Sequence, residues 1–349
     1  MITHSIQEEF LQYCYKNQLP LLKIFFQKHS IGNQLLQKGL NCTVKEKFFP
    51  LALFLMKNGA SLYQESENLC LFAINRQDDK ILQFLLDFQM KIPASLILLS
   101  NSTLNEKIFF QSLPLLEGIE LFYDHILITA SKYGQLKIVQ WAIKQGANIA
   151  AHNHAAIQCS TEKSNDLDIL QFLEKQGGDI HICNEYLLRS AAYNNQLQIL
   201  NYLIQKGCNI HANQDEAFIN TIQKSALECF DLLLENQVDI TVDDYHPILI
   251  CVQKSSSFML EKILKYLQKK NQPIFIHNSN ILSYVIQEEK ENMLALLLKY
   301  CHFDLSDDII QLSLVCQNPN ISIMLNRKKL QNELNDTLLF KNITKNIKI

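Results

Sequence analysis

Ten cysteines and ten histidines are the residues of this chain best suited to chemistry. A thiolate beside an imidazole would make a nucleophile, and the two side chains together would hold a zinc ion. The cysteines stand at 14, 42, 70, 159, 183, 208, 229, 251, 301 and 316, with no CxxC pair. Scattered in this way, they read as reduced and largely buried thiols rather than a disulfide framework. Cys229 and Cys251 fall inside amphipathic patterns, where cysteine serves as a small apolar residue. His152, His154, His181, His211, His246 and His277 lie in the polar stretches between such patterns and read as a column. Stacked helices stand roughly 8–10 Å apart, whereas every ligand of one zinc lies about 2 Å from it. A column therefore does not converge on one ion, and no metal or cofactor is expected.

Other catalytic signatures are missing. HExxH, GxSxG, GxGxxG and the phosphate-binding GxxxxGKS or GxxxxGKT do not occur. No catalytic residue is assigned, and the chain is not expected to be an enzyme. Asp215 with Glu216, and Asp243 with Asp244, fall in consecutive polar stretches. They read as a solvated rim or as a contact strip for a basic partner. The net charge of -3 and only three arginines (Arg76, Arg189, Arg327) give no field and no forks for nucleic acid. No apolar run approaches the ~18 residues of a membrane span. Residues 1–20 carry Glu8 and Glu9 without a basic leader, so no secretory signal and a cytoplasmic location are expected.

What must position these residues is helical. Hydrophobic residues make up 48% of the chain, enough for a large core, while Gly (9) and Pro (7) are too few for a strand-and-turn fold. The helices repeat. KQGANI closing at Ile149 returns as KQGGDI at Ile180, QKGCNI at Ile210 and, loosely, ENQVDI at Ile240. The same frame extends to closing residues 31, 62, 92, 119, 274 and 305, with steps of 27 to 34 residues. Within one unit, Leu187, Leu188, Ala191 and Ala192 give one face of a short helix that breaks at Asn194 and Asn195. Ile199, Leu200, Leu203 and Ile204 give a second helix, followed by Gly207. The slot three residues before the closing aliphatic holds Gly59, Gly146, Gly177 and Gly207, and once Asn271. Such residues accept the left-handed turn that ends a helix. Valine at Gly207 should be costly there, and the same change at Gly178 is expected to cost less. Two helices and a polar loop cannot bury their faces alone, so neighbouring units must stack.

YGQLKIVQWAIKQGANIAA (Tyr133 to Ala151) and NNQLQILNYLIQKGCNIHAN (Asn194 to Asn213) resemble ankyrin repeats. The loops are about three residues shorter than the usual ~33-residue period, and no T-P-L-H opens a first helix. His125-Ile126-Leu127, Glu185-Tyr186-Leu187 and His246-Pro247-Ile248-Leu249 stand there instead. The shortened, Lys/Asn/Ile-rich units resemble those of amoeba-infecting giant viruses and of some intracellular bacteria.

The expectation is an all-α, ankyrin-like helical-repeat solenoid of about eleven units, curved and roughly 100 Å along its arc. Divergent repeats are expected over 1–123, well-formed repeats over 124–305, and a capping repeat with a tail over 306–349. Residues 93–123, with the apolar run Ala94 to Leu99, hold an irregular repeat or a functional insertion. The resemblance implies a monomeric, non-catalytic scaffold that binds a protein through a concave face of loop tips and first helices. It does not imply nucleic-acid binding or membrane insertion. Asn153, Asn184, Asn213, Asp215, Asp243 and Tyr245 are the candidate contact residues, expected to add little to stability. The alternative is a host-directed effector or enzyme with an active site grafted on the array.

Overall fold

Aliphatic residues at helical spacing build α-helices that pack in sequential pairs, 21 of them among the described residues. The structure is a computed structural model describing residues 4–95, 106–162, 166–270, 274–276, 279–303, 305 and 307–346. It comprises two compact units, Met1–Asp179 and Ile180–Ile349. In the first unit the helices are α1 (His4–Tyr15), α2 (Leu19–Lys28), α3 (Asn33–Lys45), α4 (Phe49–Lys57), α5 (Leu62–Arg76) and α6 (Asp79–Asp87). They continue as α7 (Glu106–Ser112), α8 (Tyr123–Lys132), α9 (Leu136–Lys144), α10 (Ala151–Cys159) and α11 (Leu167–Lys175). The second unit contains α12 (Ile182–Tyr193), α13 (Leu197–Gln205), α14 (Ala212–Lys224), α15 (Leu227–Glu235) and α16 (Val242–Gln253). Then come α17 (Ser257–Lys269), α18 (Ser279–Gln287), α19 (Glu291–Tyr300), α20 (Asp307–Val315) and α21 (Pro319–Asn346).

First helices stack on first helices and second on second. In the second unit α12 packs on α14 and α14 on α16, while α13 packs on α15. The core is the one read from the spacing: Leu187, Leu188, Ala191, Ala192, Ile199, Leu200 and Leu203 are fully buried. Ile204 is only half-buried. Cysteines fill core slots as small apolar groups. Seven of the ten are buried, and burial pushes the Cys70, Cys229, Cys251 and Cys301 thiols up to about 12.

The glycine slot is left-handed, with φ of 103° at Gly59, 100° at Gly146, 95° at Gly177 and 85° at Gly207. Gln89 and Gln237 take the same slot with φ of 52° and 63°; Asn271 lies outside the described residues. Gly178 corrects the sequence reading. A Cβ there would stand 2.8 Å from the Leu173 carbonyl oxygen and 2.9 Å from Ile157 Cδ1, whereas one at Gly207 meets nothing within 4 Å. Gly177 supplies a dihedral angle and Gly178 supplies room, and the second need is invisible in a repeat pattern.

Short parallel strands span the 27-residue step from 92 to 119 and the step that follows the 34-residue one. β1 (Ile92–Pro93) pairs with β2 (Leu116–Glu117), and β3 (Ile274–Ile276) with β4 (Cys301–Phe303). In these places the closing aliphatic segments of neighbouring repeats bond edge to edge. Within 93–123 the described residues form α7, two 3-10 turns and the β1–β2 pair. Residues 96–99 of the apolar run lie outside the described residues.

Candidate functional site

Each loop of the regular repeats is tied off by three consecutive residues in the left-handed conformation. They are His152, Asn153 and His154; Cys183, Asn184 and Glu185; Asn213, Gln214 and Asp215; and Asp243, Asp244 and Tyr245. In these repeats one left-handed turn leads from the closing aliphatic segment into the next first helix. Asn and Asp fill half of these places because their side chains tolerate that region best. Such residues cost of order 1–3 kcal/mol each and persist only where the surroundings over-determine them.

In two of the four turns the third residue supplies much of that determination. Glu185 Oε1 accepts a hydrogen bond from the Asn209 backbone N–H at 3.2 Å, and Asp215 Oδ1 accepts one from Asp239 N–H at 3.3 Å. In the first unit Asp124 accepts from Asn148 N–H at 2.6 Å, and the Gln37 amide pairs with both backbone groups of Ser61. The backbone group always lies 24 residues after the side chain that grips it. A side chain at the head of one first helix thereby holds the loop that closes its own repeat. A histidine four residues earlier joins the pair twice: His181 Nδ1 lies 3.0 Å from Glu185 Oε1, and His211 Nδ1 lies 2.9 Å from Asp215 Oδ1.

The predicted contact residues separate on this geometry. Asp215 is the correction: it is 2% exposed and committed to His211 and Asp239, so it cannot serve as a solvent-facing contact. Asn153, in the first unit, is exposed, and its carbonyl accepts from Gln158 Nε2 at 2.6 Å. Asn184 and Asn213 are exposed and hydrogen-bonded to each other through their side-chain amides. Asp243 is exposed, whereas Tyr245 is half-buried, and burial followed by the nearby Cys301 raises its phenol above the usual range. Arg189 was not foreseen. Its guanidinium donates to the Cys183 and Asn184 carbonyls at 3.0 and 3.2 Å and to Glu216 Oε2 at 2.8 Å. Glu216 also receives Asn213 Nδ2 at 2.9 Å, which closes a polar ring across two neighbouring tips.

The histidines do not form one column. Among the described members of the predicted column, His181 and His211 share a register position; His152 and His154 sit inside a left-handed turn, His246 directly follows one, and His277 lies outside the described residues. One set does converge. Ligand atoms of His181, Glu185 and Cys208 all lie within 4.8 Å of one another. A search for histidines in register passes over it, because it unites three residue types from two ends of one helix pair. A cleft of about 530 Å³ between the ends of α18 and α20 carries Glu288, Glu289 and Cys316. Glu289 there is engaged by the Asn318 backbone N–H at 3.2 Å.

No helix among the described residues is long and apolar enough to cross a membrane. Residues 154–244 match the family described as ankyrin repeats (3 copies). No curated protein matches the chain.

Proposed function

We propose that this chain is a non-catalytic scaffold that recognises a protein partner through its loop tips and adjoining first helices. Ankyrin repeats, present over 154–244, serve protein–protein interaction in general. The face is chosen on one observation. At the heads of α12 and α14 the third residue of the left-handed turn, Glu185 or Asp215, is buried and bonded, while the first two, Asn184 and Asn213 among them, are exposed. Exposed positions can thus change without disturbing the turn, which is what a recognition surface of variable specificity requires. Asn184, Asn213, Asp243 and Tyr245 are its contact residues in the second unit, joined by Arg189 and Glu216; Asn153 is the contact in the first. Tyr245 is the strongest candidate for a hot spot.

A scaffold role also agrees with the thiols, whose burial leaves most of them protonated and poorly nucleophilic. We place the protein as a monomer in the cytoplasm, that of a host cell if the source is a virus or an intracellular bacterium. A photo-crosslinking residue placed at Asp243 should capture a discrete partner, and one placed at exposed Asn201 on the second-helix face should not. Capture from Asn201 alone would move the binding face to the second helices.

A further inference from the structure

We propose that His181, Glu185 and Cys208 form a binding site for one thiophilic divalent cation, zinc by its chemistry. An imidazole, a carboxylate and a thiolate are zinc's preferred donors, and three protein ligands leave a fourth position for water. The three ligand atoms lie within 4.8 Å of one another. Ligands at about 2.0–2.3 Å from a tetrahedral ion stand roughly 3.3–3.8 Å apart. The closure required is small, and it falls mainly on His181, whose side chain is 49% exposed.

A second observation points to the same ligand. Glu185 is 8% exposed, and its Oε2 is buried without a hydrogen-bond partner. Oε1 already carries the stitch to Asn209 and the contact to His181. A buried acceptor left unmatched is costly, and a cation beside it removes the cost. Cys208 is buried and fixed by the helix end, its backbone N–H donating to the Leu203 carbonyl at 3.1 Å directly after Gly207.

The next repeat provides an internal control. His211 and Asp215 reproduce the histidine–carboxylate pair, but Val238 stands thirty residues after Cys208 where a thiol would be needed. The donor set is complete in one repeat and interrupted in its neighbour, although both make the same stitch. On binding, the Cys208 thiol releases its proton to solvent and imidazole coordinates in its neutral form. The ion bonds replace the His181–Glu185 hydrogen bond, and no oxidation state changes. The cation would tie the head of α12 to the loop after α13, a staple within one helix pair.

The test uses the full chain freed of metal by a chelator and titrated with Co²⁺ as a spectroscopic stand-in, then with Zn²⁺. The expected result is one equivalent of cobalt with a thiolate-to-metal charge-transfer band, displaced by zinc, and a melting temperature that rises with zinc. Cys208→Ser should abolish the band. His181→Ala, at a half-exposed position that the fold tolerates, should weaken affinity by at least the ~10–100-fold that even changes around a metal's ligands produce. Cys183→Ser and His211→Ala should leave band and affinity unchanged. Absence of the band in the folded wild-type chain would overturn the proposal, as would a band that survives Cys208→Ser or that follows Cys183.

Discussion

Two neighbouring repeats, α12–α13 and α14–α15, solve the same folding problem with nearly the same parts and leave different residues over. In both, a histidine contacts a carboxylate four positions later, and that carboxylate grips the backbone of the loop closing the repeat. Glu185 is one methylene longer than Asp215 and keeps a buried oxygen without a partner. Cys208 is near enough to join it, whereas Val238 in the next repeat brings no donor. The difference separates what the array needs from what it can spare. The stitch is common to both repeats, and the potential for chemistry comes from one extra methylene and one thiol.

The largest effect is expected where the repeats are alike. Leu203 and Leu233, each fully buried at the same helix position, should each cost about 2–5 kcal/mol when cut to alanine, read from denaturant midpoints. A clear inequality would mean that the two repeats are not equivalent in packing, and the comparison would lose its basis. A smaller difference is expected at the helix-ending slot. Valine at Gly207 should cost on the order of 1–3 kcal/mol by left-handed strain. Gln237→Gly, at the slot that the neighbouring repeat fills with a side chain at φ 63°, should be neutral or stabilising. In the first unit Gly178→Val should cost at least as much as Gly207→Val, because its side chain would meet the Leu173 backbone.

The period, the helix pairs and the core were legible because aliphatic spacing encodes them directly. The left-handed glycine slot was legible for the same reason, since few residues accept that conformation. The three-residue left-handed turns were not, because Cys183, Glu185 and Tyr245 have no strong preference for that region. Bonds 24 residues along the chain hold Glu185 and Asp215 there, and bonds of the same reach start from Gln37 and Asp124, side chains of varied type. For the same reason Asp215 reads as an exposed loop acid in the sequence although it is buried in the structure. Polar character in a loop forecasts exposure only where no backbone donor waits for the side chain. The set of His181, Glu185 and Cys208 escaped notice because each member, taken alone, has an ordinary structural reading.

Asp215 and Asp243 carry the most direct test, because both are aspartates in left-handed turns of adjacent repeats and differ in their place in the turn and in what they touch. Asp215 is the buried third residue of its turn, and Asp243 the exposed first residue of the next. Each is changed to alanine, and the unfolding free energy is measured by denaturant titration. The account predicts a loss of about 1–3 kcal/mol for Asp215→Ala, as a charged hydrogen bond from a buried side chain to the backbone of the closing loop disappears. It predicts a clearly smaller loss for Asp243→Ala, about 1 kcal/mol or less, from alanine's poorer tolerance of the left-handed region alone. Equal losses, or a larger loss at Asp243, would contradict the division of each tip into a residue that holds the turn and residues left for recognition.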